Sequence, residues 1–310
     1  MADKKWYELE EVENVVSPSL LVYPDRIEKN IQLMISMVDG SNLLRPHIKT
    51  HKTAEIIKMQ MDHGIHKFKC ATIAEAELLA QCGAKDILMA MQPMGANIKR
   101  FFDLIGKYPD SKFSTLVDND KTLSEIATMA SKEKIIISLW MDINVGMNRT
   151  GIIPNEKAAE LYESIENNPF LEAKGLHAYD GHIHDPELLK RKQSCDLAFD
   201  KVLKLKGAIE DKGIAVNAIV AGGSPSFPVH AERENIETSP GTTLLWDANY
   251  IRLFPDMEFL NAAVLFIRIL SKPAPNILCF DLGHKMIASE MSFPRLQILG
   301  LEDSRQISQS

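Results

Sequence analysis

Short apolar runs alternate with longer stretches of helical spacing from residue 19 to residue 222, and this rhythm constrains the fold more than any other feature. It predicts strands over Ser19–Tyr23, Leu43–Lys49, Lys67–Ala71, Asp86–Met91, Phe113–Val117, Lys134–Asp142, Lys174–Tyr179 and Ala218–Gly222. Helices are predicted over Arg26–Val38, Ala54–His63, Ile73–Gln81, Asn97–Lys107, Lys121–Ser131, Glu156–Asn167 and Pro186–Lys212. In the first of these, Ile27, Ile31, Leu33, Met34 and Val38 are expected on the apolar side. A helix placed between successive strands returns the chain to the same edge, so the strands run parallel. Eight such units favour an α/β fold built on a closed (β/α)8 barrel of the TIM type. An open doubly wound sheet is the alternative, since periodicity carries no information about closure.

The rhythm breaks after about residue 236. Ala262–Leu270 and Asn276–Leu282 read as strands with no helix between them. The expected organisation is a barrel over residues 17–245 and the start of a C-terminal β-rich domain over 246–310. Residues 1–16 are expected to join that β domain. The β domain lacks its closing strands, so a truncated form is expected. With 310 residues, 45% of them hydrophobic, the chain can bury a large core. Its net charge of −7 argues against general affinity for nucleic acid or an anionic membrane. Cys70, Cys82, Cys195 and Cys279 form no CxxC pair and read as small apolar residues rather than a zinc site or disulfide framework. Met1–Glu10 has no apolar core and no run of eighteen apolar residues occurs, so a reduced, cytoplasmic protein is expected.

Active-site groups of a parallel barrel come from the C-terminal ends of its strands. Four predicted strand ends carry polar clusters. In Arg45–Lys52 (RPHIKTHK), Lys49 closes an apolar strand; partly desolvated, its amine would lose its proton readily and react with an aldehyde. The bland reading is a charged strand end in water. In Asp142–Gly151 (DINVGMNRTG), two glycines bracket Arg149 and could fix a guanidinium over the site; the alternative is a flexible surface loop. Tyr179–Asp185 (YDGHIHD) gathers a tyrosine, two histidines and two aspartates, and the alternation of His182 and His184 makes metal binding conceivable. Gly222-Gly223-Ser224 follows what reads as the eighth strand, with Ser239–Thr243 (SPGTT) beyond it, and can aim N–H groups and a hydroxyl at a phosphate. An amine nucleophile, an arginine and a phosphate cradle on one rim fit pyridoxal phosphate (PLP).

On these motifs the chain resembles the D-threonine aldolase and D-serine dehydratase group, whose barrel is of the alanine-racemase type (fold type III). The resemblance is carried by RPHIKTHK (45–52), ATIAEAELL (71–79), DINVGMNRTG (142–151), AYDGH (178–182), AGGSPSFP (221–228) and SPGT (239–242), in order over nearly the whole chain. It implies that Lys49 holds PLP as a Schiff base and that Arg149 lies beside the ring oxygen. It places Tyr179 and His182 along cofactor and substrate, with His182 a candidate base or hydroxyl partner. Ser224, the N–H groups of Gly222 and Gly223, and the backbone of Gly241 and Thr242 would hold the phosphate.

Two departures stand out. Alanine racemases place an arginine against the pyridine nitrogen where this chain has Ser239, which implies a moderate electron sink. The group also uses a divalent cation (Mn, Mg or Zn) bound by a His-x-Asp or His-x-Cys pair near the C-terminus, and nothing over Leu299–Ser310 matches it. No metal ligand is therefore assigned in this chain. The function implied is a PLP-dependent lyase of the D-threonine aldolase type acting on a small D-amino acid. D-serine dehydratase, an amino-acid racemase and a non-catalytic PLP-binding protein are the alternatives, and a homodimer is the implied assembly.

Overall fold

The computed structural model describes residues 5–287, 293–301 and 303–308. The remaining residues of the expected 1–16 and 246–310 segments lie outside those described. Seven parallel strands run in sequential order: β2 (Lys67–Cys70), β3 (Asp86–Met89), β4 (Lys112–Val117), β5 (Ile137–Asp142), β6 (Leu171–Ala178), β7 (Ile219–Ala221) and β8 (Ile236–Thr238). The segment 44–47 closes the sheet. His47 bridges Lys69 of β2, while Leu44 bridges Thr238 of β8, both in parallel. Arg45 N donates to Thr238 O at 2.8 Å and Lys69 N donates to Pro46 O at 2.9 Å, so the eighth staff of the barrel is this short bridged segment.

The barrel differs from the expected one at its ends. The run Ser19–Tyr23 is not its first strand: β1 (Ser19–Val22) pairs antiparallel with β9 (Ala263–Phe266) outside the barrel. The strand at Ala218–Gly222 is the seventh, and Ile236–Thr238 supplies a further one that the apolar pattern does not single out. The expected strand over 262–270 is two strands, β9 and β10 (Ile269–Ala274), the latter in a hairpin with β11 (Ile277–Phe280). Arg268, between them, donates to Val12 O, Val15 O and Ser17 Oγ, tying the N-terminal segment to this corner.

Helices α1 (Pro24–Ser36), α2 (Ala54–Asp62), α3 (Ile73–Gln81), α4 (Ala96–Lys107), α5 (Asp120–Glu133), α6 (Glu156–Glu166) and α7 (Leu188–Glu210) surround the sheet, with short α8 (Phe227–Ala231) and α9 (Ala248–Leu253). Their starts are chemically marked. Thr72 caps α3 by accepting from Glu75 N, and Glu75 Oε2 accepts from Ala71 N, a reciprocal capping box. Asn119 and Asn155 cap α5 and α6 by accepting from Thr122 N and Ala158 N. No described helix is long and apolar enough to cross a membrane.

Alternate strand residues point into the barrel. A middle layer of Leu88, Leu116, Trp140 and Val220 is fully apolar apart from the indole N–H, which donates to Ser114 Oγ at 3.1 Å. Below it lies a buried ion network. Arg45, 1% exposed, donates Nε to Glu237 Oε2 and Nη1 to Asp86 Oδ1, each at 2.6 Å, and Lys67 pairs with Glu237. Above it is the polar layer that forms the site. β6 crosses β7 so closely that a Cβ at Gly175 would lie 1.9 Å from Ala218 O.

Candidate active site

Lys49 stands at the barrel mouth because the closing segment ends in one 3-10 turn, Ile48–Thr50. His47 Nδ1 accepts from Lys49 N at 3.2 Å and fixes that turn. Lys49 is exposed along its length, yet its ammonium lies 5.4 Å from the Tyr179 ring centroid. Burial first, then repulsion from Arg149 and Lys52, hold its pKa below the ordinary lysine range, with Glu75 opposing.

Arg149 reaches the same ring, its guanidinium carbon 4.9 Å from the centroid. The loop that carries it is rigid. Asn144 Oδ1 accepts from Gly146 N and Asn148 N, and Asp118 Oδ2 accepts from Gly151 N at 2.9 Å. Gly151 has φ +96°, and a Cβ there would lie 2.6 Å from Asn144 N, so the position takes glycine on both counts. The segment is thus an internally hydrogen-bonded loop whose residues Gly146, Asn148, Arg149 and Thr150 are exposed.

The glycine loop and the SPGT turn meet beside Tyr179. Ser224 Oγ accepts from Gly241 N at 3.1 Å and from Thr242 N at 2.9 Å. Gly223 N donates to Ser226 Oγ, and Gly222 N to Ala178 O. Thus each of the four N–H groups expected to face a phosphate has a protein acceptor here. An anion would take the place of the Ser224 hydroxyl at Gly241 and Thr242. Gly222 contributes conformation, with φ +79° and space for a Cβ only 2.7 Å from the His230 ring.

Three observations test whether these residues suit PLP. A Cβ at Gly223 would lie 2.9 Å from Tyr179 Cε2, and one at Gly241 would lie 2.9 Å from His47 O, so both glycines keep the cradle open. Ser239 Oγ, in the slot assigned to the ring nitrogen, is buried without a hydrogen-bond partner. The Lys49 amine is partly desolvated at the same mouth. The residues fit the cofactor.

His182 is placed differently. It is exposed, and its Nε2 lies where a Cβ on Gly146 would approach within 3.0 Å. With His184, Ser194, Leu197 and Lys201 it lines a groove of about 540 Å³ on the α7 side of the rim. Lys49, Arg149 and Tyr179 converge; among the described residues His182 makes no hydrogen bond, ion pair or ring contact with them.

Asp180, expected to join that cluster, points the other way. Its carboxylate accepts from Ser226 Oγ at 2.7 Å and pairs with His230 Nε2 at 2.8 Å, behind the glycine loop. Burial alone would raise its pKa, but the His230 contact together with the Ser226 and backbone hydrogen bonds lowers it. Cys195 lies 3.9 Å away, its thiol pushed up to about 12 by burial and by Asp180. Among the described residues, Asp180, Cys195 and His230 are the one gathering of metal-ligating types, and His182 and His184 are not in it. Both carboxylate oxygens and both His230 nitrogens already have partners, Arg233 Nε reaching Nδ1, so the trio suits a hydrogen-bonded support rather than an ion.

Residues that the motifs did not single out as site groups complete the floor. Lys69 on β2 is 3% exposed, with its ammonium 5.7 Å from the Tyr179 centroid. His177 Nδ1 contacts Asp142 Oδ1 at 2.6 Å, while its Nε2 is buried and unpartnered. His47 is held down to about 2, mainly by burial and then by Lys69 and Lys49, and stays neutral.

Comparison with known proteins agrees with this fold. Residues 22–248 match the family described as alanine racemase, N-terminal domain. A D-threonine aldolase of Arthrobacter sp. is 26% identical over 287 residues, covering 91% of this chain and 75% of the relative. A 3-hydroxy-D-aspartate aldolase of Paracoccus denitrificans (strain Pd 1222) is 24% identical over 306 residues, covering 94% and 78%. The crystal structure of D-threonine aldolase from Filomicrobium marinum superposes with a TM-score of 0.81 at 26% identity, covering 87% of this chain and 74% of that one. The match spans well over half of the sequence, and the chain therefore belongs to the alanine racemase N-terminal domain family, with D-amino-acid aldolases and dehydratases among its relatives.

Proposed function

We propose that this protein is a PLP-dependent lyase that cleaves a small D-3-hydroxy amino acid between Cα and Cβ, releasing glycine and an aldehyde. The observation that carries the reading is the convergence of Lys49, Arg149 and Tyr179 on one ring beside the Gly223–Gly241 cradle. When bound, the cofactor supplies an aldehyde carbon and a ring that draws electrons from the substrate's Cα.

The chain's own groups do the rest. Lys49 offers an amine whose proton is held less tightly than an ordinary lysine's, and it would be the residue that anchors the cofactor's aldehyde. Arg149, on its hydrogen-bonded loop, would supply positive charge beside the cofactor's ring. Ser239 Oγ, without a partner, is available to donate to the ring nitrogen, a hydrogen bond that moderates rather than maximises electron withdrawal. Ser224, Gly241 and Thr242 would hold the phosphate, the two N–H groups that now donate to Ser224 Oγ turning to the anion. For the β-hydroxyl proton we assign His182 at the rim, a role of the kind that contributes roughly 10²–10⁴-fold. For the divalent ion implied by the resemblance, the described residues offer the hydrogen-bonded Asp180, Cys195 and His230 group as the candidate ligand set, and no step here is routed through it. A homodimer belongs to the same proposal.

The test is a paired assay on purified protein with added PLP. D-threonine should yield acetaldehyde and glycine. Pyruvate from D-serine without acetaldehyde from D-threonine would replace the aldolase reading with a dehydratase. Loss of optical activity from D-alanine would point to a racemase. Cofactor binding with no turnover, with or without added Mn²⁺ or Zn²⁺, would leave a PLP-binding protein.

A further inference from the structure

The turn that presents Lys49 ends in a second lysine to which the reading above gives no task. Lys52 has φ +48°, in the left-handed region that an L side chain enters only at a cost. Its backbone N–H closes the turn on Ile48 O at 2.8 Å. Its side chain then folds back, and the ammonium donates to Lys49 O at 2.6 Å while facing Glu75 Oε1 at 3.9 Å. The Lys52 side chain is 59% exposed, whereas that of Glu75 is 5% exposed. Glu75 Oε2 accepts from Ala71 N at 2.8 Å in the cap of α3, so its carboxylate is held in place without help from Lys52. Among the described residues, Lys52 is the one cation paired with that carboxylate.

We propose that Lys52 is a positioning residue for Lys49: its ammonium bridges the Lys49 carbonyl to the buried Glu75 carboxylate, fastening the turn that presents the cofactor lysine to the start of α3 and offsetting the negative charge there. The inference rests on the cofactor reading of Lys49. An exposed lysine ordinarily gains little from an ion pair at the surface. Here one contact is a charge-assisted bond to a carbonyl of a closed turn. The other faces a carboxylate withdrawn from water, which is costly to leave without a cation.

The charges around Lys49 give the bridge a direction. Burial does most to lower the Lys49 pKa, Arg149 and Lys52 add to this by repulsion, and Glu75 opposes them. Lys69 and His47 are in turn pushed down, with Lys49 among the causes. The phenol of Tyr179, whose ring Lys49 faces, is raised by burial and stays neutral. Removing the Lys52 charge therefore acts twice in one direction. The repulsion is lost, and Glu75 is left uncompensated to favour the charged form of Lys49.

The experiment is competitive labelling of the full chain with acetic anhydride across neutral and alkaline pH, read peptide by peptide by mass spectrometry, which gives the titration midpoint of the Lys49 amine without any cofactor. Lys52→Met should move that midpoint up by about 0.5–1 pH unit, leaving roughly three- to tenfold less free amine below it. Lys52→Arg keeps the charge and should hold the midpoint near that of the wild type. Adding Glu75→Gln to Lys52→Met should bring the midpoint back down, and glutamine can still accept from Ala71 N, so the cap survives. An unmoved midpoint in Lys52→Met, or an Arg variant or double variant that matches Met, would overturn the bridge. Should the Met chain fail to fold, Glu75→Gln alone decides: the Lys49 midpoint should fall, and an unchanged one would overturn the bridge. Borohydride trapping of added PLP on the wild-type chain tests the cofactor reading separately. Absence of label on Lys49 there would overturn that reading, while the midpoints still judge the bridge.

Discussion

Replacing Gly241 by alanine would press one methyl group into the seam between cradle and lysine turn. A Cβ at that position lies 2.9 Å from His47 O, 3.3 Å from Thr50 Oγ1 and 3.4 Å from His47 Cβ. The first is backbone and cannot rotate away. The same seam is already pinned, since His47 N donates to Pro240 O at 2.9 Å. Gly241 has φ −141°, so alanine meets no left-handed backbone penalty there. Overpacking of this kind costs about 1–3 kcal/mol. Relief requires the SPGT turn to back away from the turn carrying Lys49, which separates the two attachment points that one cofactor must span. If most of that cost falls on the bound state, PLP affinity drops about 5–150-fold, at roughly 1.4 kcal/mol per tenfold. Absorbance titration of cofactor-free protein measures it, with thermal unfolding as the check on the fold. Gly207→Ala in α7 is the control. Its Cβ meets nothing within 4 Å, and removing a helix-interior glycine should stabilise by about 0.5–1 kcal/mol without touching affinity. Wild-type affinity in a folded Gly241→Ala protein would refute the reasoning.

Two further substitutions probe the frame. Arg45→Met strands Glu237 and Asp86 beneath the barrel layer and should destabilise by about 3–5 kcal/mol in urea unfolding, with recovery when Glu237→Gln and Asp86→Asn are added; a loss under 1 kcal/mol would show the network to be dispensable. Asp180→Asn should lower stability near pH 7 and loosen the glycine loop, seen as weaker PLP binding. Because the folded carboxyl titrates below its unfolded value, the wild-type advantage is full above the ordinary carboxylate range (about 3.9) and is lost as pH falls through the lower folded value. An advantage that grows on acidification would contradict that sign.

Much of the architecture was legible because it depends on local chemistry. Capping residues such as Thr72 and Glu75, and apolar stripes such as Ile27–Ile31–Met34, mark helices without reference to distant partners. Pairing is not local. Ser19–Val22 has the apolar character of a barrel strand, but its partner Ala263–Phe266 lies about 240 residues on, and nothing in either run announces the other. The three-residue strand Ile236–Thr238 was hidden for the opposite reason, since two of its three side chains are polar and one, Glu237, is a buried ion-pair partner.

The site divided along the same line. Lys49, Arg149 and the glycine loop stand in motifs whose residue types announce their chemistry. Strand alternation was the unused signal for the rest. With Tyr179 inward at the end of β6, Asp180 must face outward, and there it meets His230. The same alternation turns Phe68 and Cys70 away from the interior and Lys69 into it. Taken one residue at a time, the run Lys67-Phe68-Lys69-Cys70 reads as a strand with solvated lysines; only a closed barrel makes the second of them a buried floor residue.

The account stands on the amine of Lys49 capturing the cofactor's aldehyde. Purified Lys49→Ala protein, folded by circular dichroism and supplied with PLP, should lack the visible absorbance of lysine-bound cofactor that the wild type shows. That band persisting in the variant, at wild-type intensity, would contradict the assignment.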